Sequence, residues 1–417
     1  MELVDTSDRA SYERWLRAEA RGFYDDDPSA EALDSLLTGL RMRRATAVFD
    51  DRIAEPEWPV ATIDSWPTAL TVPGRASVES WAISGVTVAS THRRRGIARA
   101  LIEAELRTAH RLGCPVAILT VSESTIYGRF GFSPAVLSAE WSVETRRVGW
   151  AGPEPVGRVQ FVAPAHLRVQ APEIFERARR NSPGEIEIWD NLWDLMFGLN
   201  PRTADSAKKL RCIRYDDESG VAQGFAVYKV AEDESDFTKH TLSIDYLTAA
   251  TDDAYAALWR FILELDLVSR VSAALRSVEE PFVWQLADYR AAAKTAESDH
   301  LWLRILDVRA ALEGRRFGGP GRFALDIEDP LGFVSGRWVL TIADDGTASV
   351  SRGTAEVPDD AWHAAMTVRE LSSLYLGGVS ATNLVRSGRV REEREGSAAA
   401  IDRSFRTPRA PWLSVWF

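Results

Sequence analysis

The sequence predicts an α/β protein of three domains: two copies of one α/β fold over 1–150 and 151–295, then an α+β domain over 296–417. Three observations lead there. Between Ser84 and Phe132 a strand, a glycine turn, a helix, a second strand and a short helix follow one another, the order of an α/β unit. Beyond Gly157 a similar order returns without its glycine turn. After residue 295 the pattern changes again, and the chain closes on the apolar run APWLSVWF. Its 417 residues exceed one ordinary core, given roughly 100–200 residues per domain.

Taken in order, SYERWLRAEARGFY has the periodicity of an amphipathic helix, and an acidic linker, DDDPSAEA, leads to a second helical stretch. ATAVFD and the alternating VPGRASVESWAISGVTVAS read as strands. In RRRGIARALIEAELRTAHRLG, apolar Ala98, Ile102, Leu106, Ala109 and Leu112 recur at helical spacing, with Gly113 at the expected stop. PVAILTVSES is then a buried strand, and STIYGRFGF starts a short helix. In the second copy PEIFERARRN and DDAYAALWRFILELD are helices, and GFAVYKV, TLSIDYLTAA and VSRVSAAL are strands. In the last domain, after a polar KTAESDH, LWLRILDVRAALEGR is expected to be a helix. FALDIED and RWVLTIADDGTASVSR follow as strands, the latter folded at an Asp-Gly turn. VPDDAWHAAM, VRELSSLYLGG and SAAAIDRSFR read as short helices.

Composition narrows the function. A formal charge of −11 disfavours nucleic acid and suits a polycationic substrate. Cys114 and Cys212, the only cysteines, lack metal-ligand spacing, so no metal is expected and a reducing cytoplasm fits. The first residues lack the basic and apolar regions of a signal peptide, and no uncharged apolar run of about 18 residues suggests integral membrane association.

One junction concentrates positive charge. In VTVASTHRRRGIARALI, Arg93-x-x-Gly96-x-Ala98 joins a strand to a helix, with His92, Arg93, Arg94 and Arg95 beside it. Free N–H groups and partial positive charge at a helix start favour an anion, and small residues let a phosphate approach the backbone. The competing reading is surface decoration. After the next strand come Tyr127 and the run Gly128-Arg129-Phe130-Gly131-Phe132. Together the two motifs resemble those of the GNAT acyl-coenzyme A N-acyltransferases, R/Q-x-x-G-x-G/A followed by a tyrosine shortly before Gly-Phe.

With THRRRG, SESTIYGRFGF, a second GNAT-like copy, a third domain similar to sterol carrier proteins and a final phenylalanine, the whole chain resembles the Eis family of bacterial acetyltransferases. That resemblance implies two tandem GNAT-like domains and a sterol-carrier-like domain, with acetyl-coenzyme A as acyl donor. It further implies multiple acetylation of aminoglycoside amines and of lysine side chains, and a homohexamer. Polyamine-like molecules or lysine-containing peptides would be the partners. By the same resemblance, backbone groups of Val86, Thr87 and Val88 pair with the pantetheine arm, and the turn of Arg93, Arg94, Arg95, Gly96, Ile97, Ala98 and Arg99 holds the phosphates. Ser122 and Glu123 lie beside the arm. The plain alternative for the valines is strand packing, which is compatible with backbone contacts.

Transfer to an amine needs one proton removed and another supplied to the departing thiolate. Tyr127 suits the second task, because a phenol near 10 is neutral at pH 7; its plain alternative is core packing. No histidine is placed for the first task. The resemblance points instead to the terminal carboxylate of Phe417, whose pKa would rise if it were buried among Trp412, Leu413, Trp416 and its own ring. Core packing or an oligomer contact explains the same rings. Asp25, Asp26 and Asp27 are candidates for an acidic rim that binds the ammonium form, though a solvated loop has the same composition. In the second copy Asp252 and Asp253 replace the basic turn and would repel pyrophosphate, so no coenzyme is expected there, only a part in lining the substrate cavity. A protein-lysine acetyltransferase and a lipid carrier acting through the last domain are the other readings.

Overall fold

The computed structural model describes residues 1–40, 42–354 and 356–417. The chain forms two compact units: residues 1–135, 300–408 and 416–417 in the first, and 136–299 and 409–415 in the second.

In the first unit a short β1 (Glu2–Leu3) precedes helices α1 (Arg9–Phe23) and α2 (Ala30–Gly39). Asp8 caps α1, and Tyr24 ends it in the left-handed region at φ 63°. Its apolar stripe of Tyr12, Trp15 and Leu16 is buried, with Trp15 Nε1 donating to the Thr46 carbonyl at 2.9 Å. Strands β2 (Arg44–Val48), β3 (Ala61–Val72) and β4 (Ala76–Val88) run antiparallel in sequence. Helix α3 (Ile97–Arg111) then crosses over to β5 (Val116–Thr120), parallel to β4. Leu101, Ile102, Leu106 and Ala109 of α3 pack in one core with Trp81 and Leu119. The short α4 (Ser124–Tyr127) follows.

The second unit begins within β6 (Ser133–Glu144). It continues through β7 (Arg158–Phe161), α5 (Pro164–Arg179), α6 (Asp190–Met196), α7 (Ala204–Ala207), β8 (Arg211–Asp216), β9 (Ala222–Ala231), β10 (His240–Ala249), α8 (Asp252–Leu263) and β11 (Val268–Arg276). Helix α8 joins parallel β10 and β11 as α3 joins β4 and β5, so the repeat read in the sequence is a repeat of topology. Residues 409–415 pack into this unit: Trp412 N–H donates to the Pro183 carbonyl at 2.8 Å, its Nε1 to Leu275 at 2.7 Å, and the Arg276 guanidinium covers its ring at 4.6 Å. The oily run is therefore packed. Beside it, burial raises the Glu185 carboxyl from an ordinary 4.5 to about 8, against the smaller opposing influence of Ser414, Arg276 and Arg179. The folded state thus binds the proton more tightly than the unfolded chain, and stability falls as pH rises from about 4.5 to about 8. Glu185→Gln is expected to flatten that fall in thermal unfolding between about pH 5 and pH 8, by an amount on the order of a few kcal/mol.

Strand β12 (Ala292–Ile305) leads back to the first unit, where Leu301–Ile305 pair antiparallel with Thr120–Val116 of β5. The remainder of that unit comprises α9 (Val308–Glu313), β13 (Gly321–Glu328), β14 (Gly336–Ile342), β15 (Ala348–Arg352), β16 (Trp362–Thr367), α10 (Val368–Leu374), α11 (Ala381–Arg386), β17 (Val390–Glu392) and α12 (Ser397–Phe405). Its five strands are ordered β15-β14-β13-β16-β17. Two readings of this region are corrected. LWLRI, expected to be helical, is strand, because a short continuous apolar run has no period to separate a buried strand from a buried helix. WHAAM, also expected to be helical, lies in β16, where the register with β13 along Trp362–Thr367 overrides a weak helix propensity.

Candidate active site

Strands β4 and β5 pair only at Ser80↔Val116, Trp81↔Ala117 and Ala82↔Ile118, and then part. On its other edge β4 stays paired to β3, with Thr87 opposite Thr62 and Val88 opposite Ala61 across a register shift. Gly85 sits in this irregular stretch at φ 59°, and a Cβ there would fall 2.8 Å from Glu19 Oε1 and 3.1 Å from Asp64 Oδ1. The result is a cleft in which the β5-facing backbone of Val86, Thr87 and Val88 is left without a strand partner among the described residues. The Thr87 hydroxyl is already shared with Thr62 at 2.6 Å, so backbone is what this strand offers a ligand.

At the end of β4 the chain turns through Ser90–His92 and Arg94, which adopts φ 63°, to Gly96 at φ 79°. Gly96 caps α3 without any side-chain hydrogen bond, so the first helical N–H groups of Ile97, Ala98 and Arg99 face outward unclaimed. Arg93, Arg94 and Arg95 are all exposed around them. This is the geometry an anion needs. Arg93 Nη2 lies 3.4 Å from the Tyr24 hydroxyl, and the Ser90 hydrogen bond together with Arg93 lowers the Tyr24 phenol from its ordinary value.

His92 does not belong to the cradle. It is buried, with Nε2 3.1 Å from Asp50 Oδ2 and Nδ1 2.8 Å from the Thr91 hydroxyl, so it latches the turn from behind. Asp50 also approaches Arg95 at 3.7 Å, which makes the turn less positive than its sequence. Replacing Arg94 and Arg95 by alanine is expected to weaken coenzyme A binding about tenfold with little change in melting temperature, measured by calorimetry and thermal unfolding.

Beyond β5, Ser122 and Glu123 are exposed and Tyr127 is buried, with 8 % of its surface exposed. The phenol packs edge-on to Phe132 with ring centroids 6.3 Å apart. Burial first, and then the Glu123 charge, pushes it up to about 12. The third domain supports this turn: the fully buried Arg304 donates from Nε to the Phe130 carbonyl at 2.8 Å and from Nη2 to Asp329 at 2.7 Å. Gly131, at φ 88°, leaves room for it, since a Cβ there would meet Val368 at 2.9 Å and Arg304 Nε at 3.1 Å.

Phe417 reaches the same end of β5. Thr120 Oγ1 donates to the Phe417 oxygen at 2.5 Å and lies 3.4 Å from its N–H. The Phe417 ring packs edge-on to Trp66 at 5.6 Å; Trp66 lies 3.6 Å beneath the Arg43 guanidinium, which pairs with buried Asp64 at 2.8 Å. The surroundings expected from the sequence are corrected. Trp412 and Leu413 belong to the second unit, and Trp416 is 52 % exposed with its ring against His300, so Trp66 and Thr120 form the contacts. Thr120 carried no sequence signal, because it is one polar residue at a strand end.

The acidic loop offers less than its composition suggests. Asp27 is paired with Arg17, while Asp25 and Asp26 stand exposed just past Tyr24. In the second copy the α8 N-terminus is already served: Thr251 Oγ1 accepts from Ala254 N–H at 3.1 Å, Asp253 accepts from the Tyr215 hydroxyl, and Asp252 pairs with Arg409 at 3.1 Å. Among the described residues no cluster of three or more metal-ligating side chains occurs, and no helix is long and apolar enough to cross a membrane.

Comparison with known proteins agrees with this architecture. Acetyltransferase (GNAT) domain models match residues 4–135 and 184–305, and a sterol carrier protein domain model matches 308–414. An uncharacterized N-acetyltransferase of Streptomyces avermitilis is 35% identical over 97% of this chain and 96% of its own length. The N-acetyltransferase Eis of Mycobacterium tuberculosis is 34% identical over 81% of this chain and 80% of its own. Among solved structures, Eis1 from Mycobacterium abscessus superposes with a TM-score of 0.85 at 29% identity, covering 100% of both chains.

Proposed function

Because this chain belongs to the Eis family of GNAT N-acetyltransferases, we propose that it acetylates amines of polycationic small molecules, aminoglycosides among them, with acetyl-coenzyme A as donor. The observation that carries the reading is that β4 and β5 pair over three residues and then part, leaving the Val86–Val88 edge open next to a helix start with no side-chain cap. The outward N–H groups at Gly96–Arg99 would hold the phosphates, and the free edge of Val86–Val88 the extended arm. Bound there, acetyl-coenzyme A supplies a thioester, an acyl group already activated toward an amine.

The protein's own groups handle the protons. An amine with pKa near 10 must give up a proton at a cost of roughly 4 kcal/mol at pH 7. The Phe417 carboxylate, oriented by Thr120, accepts it directly or through water. Tyr127, at about 12, stays protonated throughout the physiological range and donates a hydrogen bond toward the departing sulfur. Full transfer to a thiolate of ordinary pKa near 8.5 would be uphill by roughly 3.5 units, so its share is charge stabilisation before proton delivery. Asp25 and Asp26 are the remaining candidates for the ammonium-binding rim.

One cavity of the third domain gives a lipid carrier little support: Asp326, Glu328, Arg337, Arg389 and Arg391 line it, so a fatty chain there would have to desolvate charges. An amine panel of aminoglycosides, linear polyamines and lysine peptides, scored by thiol release and by acetyl count in mass spectra, tests the function. Turnover on aminoglycosides with more than one acetyl group added supports it, whereas release with lysine peptides alone replaces it with protein acetylation.

A further inference from the structure

Away from the coenzyme cleft, a 390 Å³ cavity lies between the Gly128–Gly131 turn and the third domain, within one compact unit. In a chain of net charge −11 its walls carry three guanidinium groups, Arg129, Arg369 and Arg389, and a single carboxylate, Glu370. Glu370 is fully engaged: its Oε2 accepts from Thr367 N–H at 3.0 Å and from the Thr367 hydroxyl at 2.5 Å, and its Oε1 pairs with Arg389 at 2.9 Å. Arg129 and Arg369 are left over. Arg129 is exposed and its Nη2 reaches only the Thr125 carbonyl, at 3.5 Å.

Arg369 is the more unusual group. Among the described residues it makes no ion pair, and its Nε is buried without a hydrogen-bond partner. The guanidinium is pressed against the active-site turn, where a Cβ on Gly128 would stand 3.0 Å from both its Cζ and its Nη2. Burial, and after it the charge of Arg389, lowers Arg369 from the usual arginine value, against a smaller opposing pull from Glu370. A half-buried guanidinium with no ion pair among the described residues, on the wall of an open cavity, is placed to pair with an anion.

We propose that this cavity binds a phosphate-type dianion, gripped by Arg369 and Arg129 with Arg389 at its rim, directly behind the turn that carries Tyr127. Two guanidinium groups with no ion pair among the described residues match two negative charges, and their planar forks suit the tetrahedral oxygens of a phosphate monoester. A carboxylate monoanion would leave one of the two unpaired.

The test uses the full chain saturated with coenzyme A, so that the turn at Gly96 is already filled, titrated calorimetrically with inorganic phosphate and, separately, with acetate. Phosphate is expected to bind at one site per chain and acetate at least about tenfold more weakly. Arg369→Gln and Arg129→Gln are each expected to weaken phosphate by about tenfold, while Arg94→Ala leaves it unchanged. Arg129 is exposed, so its variant reads out binding even if Arg369→Gln fails to fold. No uptake beyond coenzyme A, or unchanged affinity in Arg129→Gln, overturns the proposal. Because the readout is binding with the coenzyme turn occupied, failure here leaves the acetyltransferase reading intact, and loss of coenzyme A binding would be seen first.

Discussion

Replacing Tyr127 with phenylalanine is expected to lower kcat roughly a hundredfold or more while leaving the KM for acetyl-coenzyme A within about threefold. The ring keeps its edge-on contact with Phe132, and the hydroxyl has no hydrogen-bond partner among the described residues, so the melting temperature should not move. The change therefore removes a donor without removing packing. Its pH signature is equally specific. A phenol held at about 12 does not ionise below about pH 11, so any fall in wild-type activity between neutral and mildly alkaline pH comes from another group. Stopped-flow thiol release across that range checks both statements; a variant with full kcat would reduce Tyr127 to a core residue.

A single glycine added after Phe417 is expected to cost a further large factor, about a hundredfold in kcat/KM for the amine, with coenzyme A binding unchanged. One residue displaces the carboxylate by up to about 3.8 Å, while the Phe417 ring can remain on Trp66. Thr120→Val should act in the same direction but more weakly, near tenfold, because it removes the 2.5 Å hydrogen bond and leaves the carboxylate in place. Titrating coenzyme A calorimetrically beside the rate assay separates lost chemistry from lost donor binding.

What was legible in advance follows from which interactions are local. The helix start at Gly96 and the turn around Tyr127 are short-range motifs whose residues carry their own geometry: a left-handed glycine, and a tyrosine four residues before another. The strand–helix–strand order of an α/β unit was legible, with β4 and β5 pairing in parallel around α3, and the missing basic turn distinguished α8 from α3. Partners that meet only in space were not legible. Asp50 claims His92, Thr120 meets Phe417 across 297 residues of chain, and Trp66 replaces the tail's own tryptophans as the wall. LWLRI failed for a different reason, since its apolar run is continuous and only pairing with β5 decides its state. Asp27 shows the converse: an acidic run that looked free is partly neutralised by Arg17.

All of these expectations depend on the donor lying between β4 and β5 with its reactive end beside Tyr127 and Phe417. A crystal structure with coenzyme A bound measures that directly. The expected result is pyrophosphate on the N–H groups of Gly96–Arg99 and a sulfur atom within about 3.5 Å of the Tyr127 hydroxyl. Coenzyme seated elsewhere, or a sulfur with neither the phenol nor the Phe417 carboxylate within reach, would contradict it.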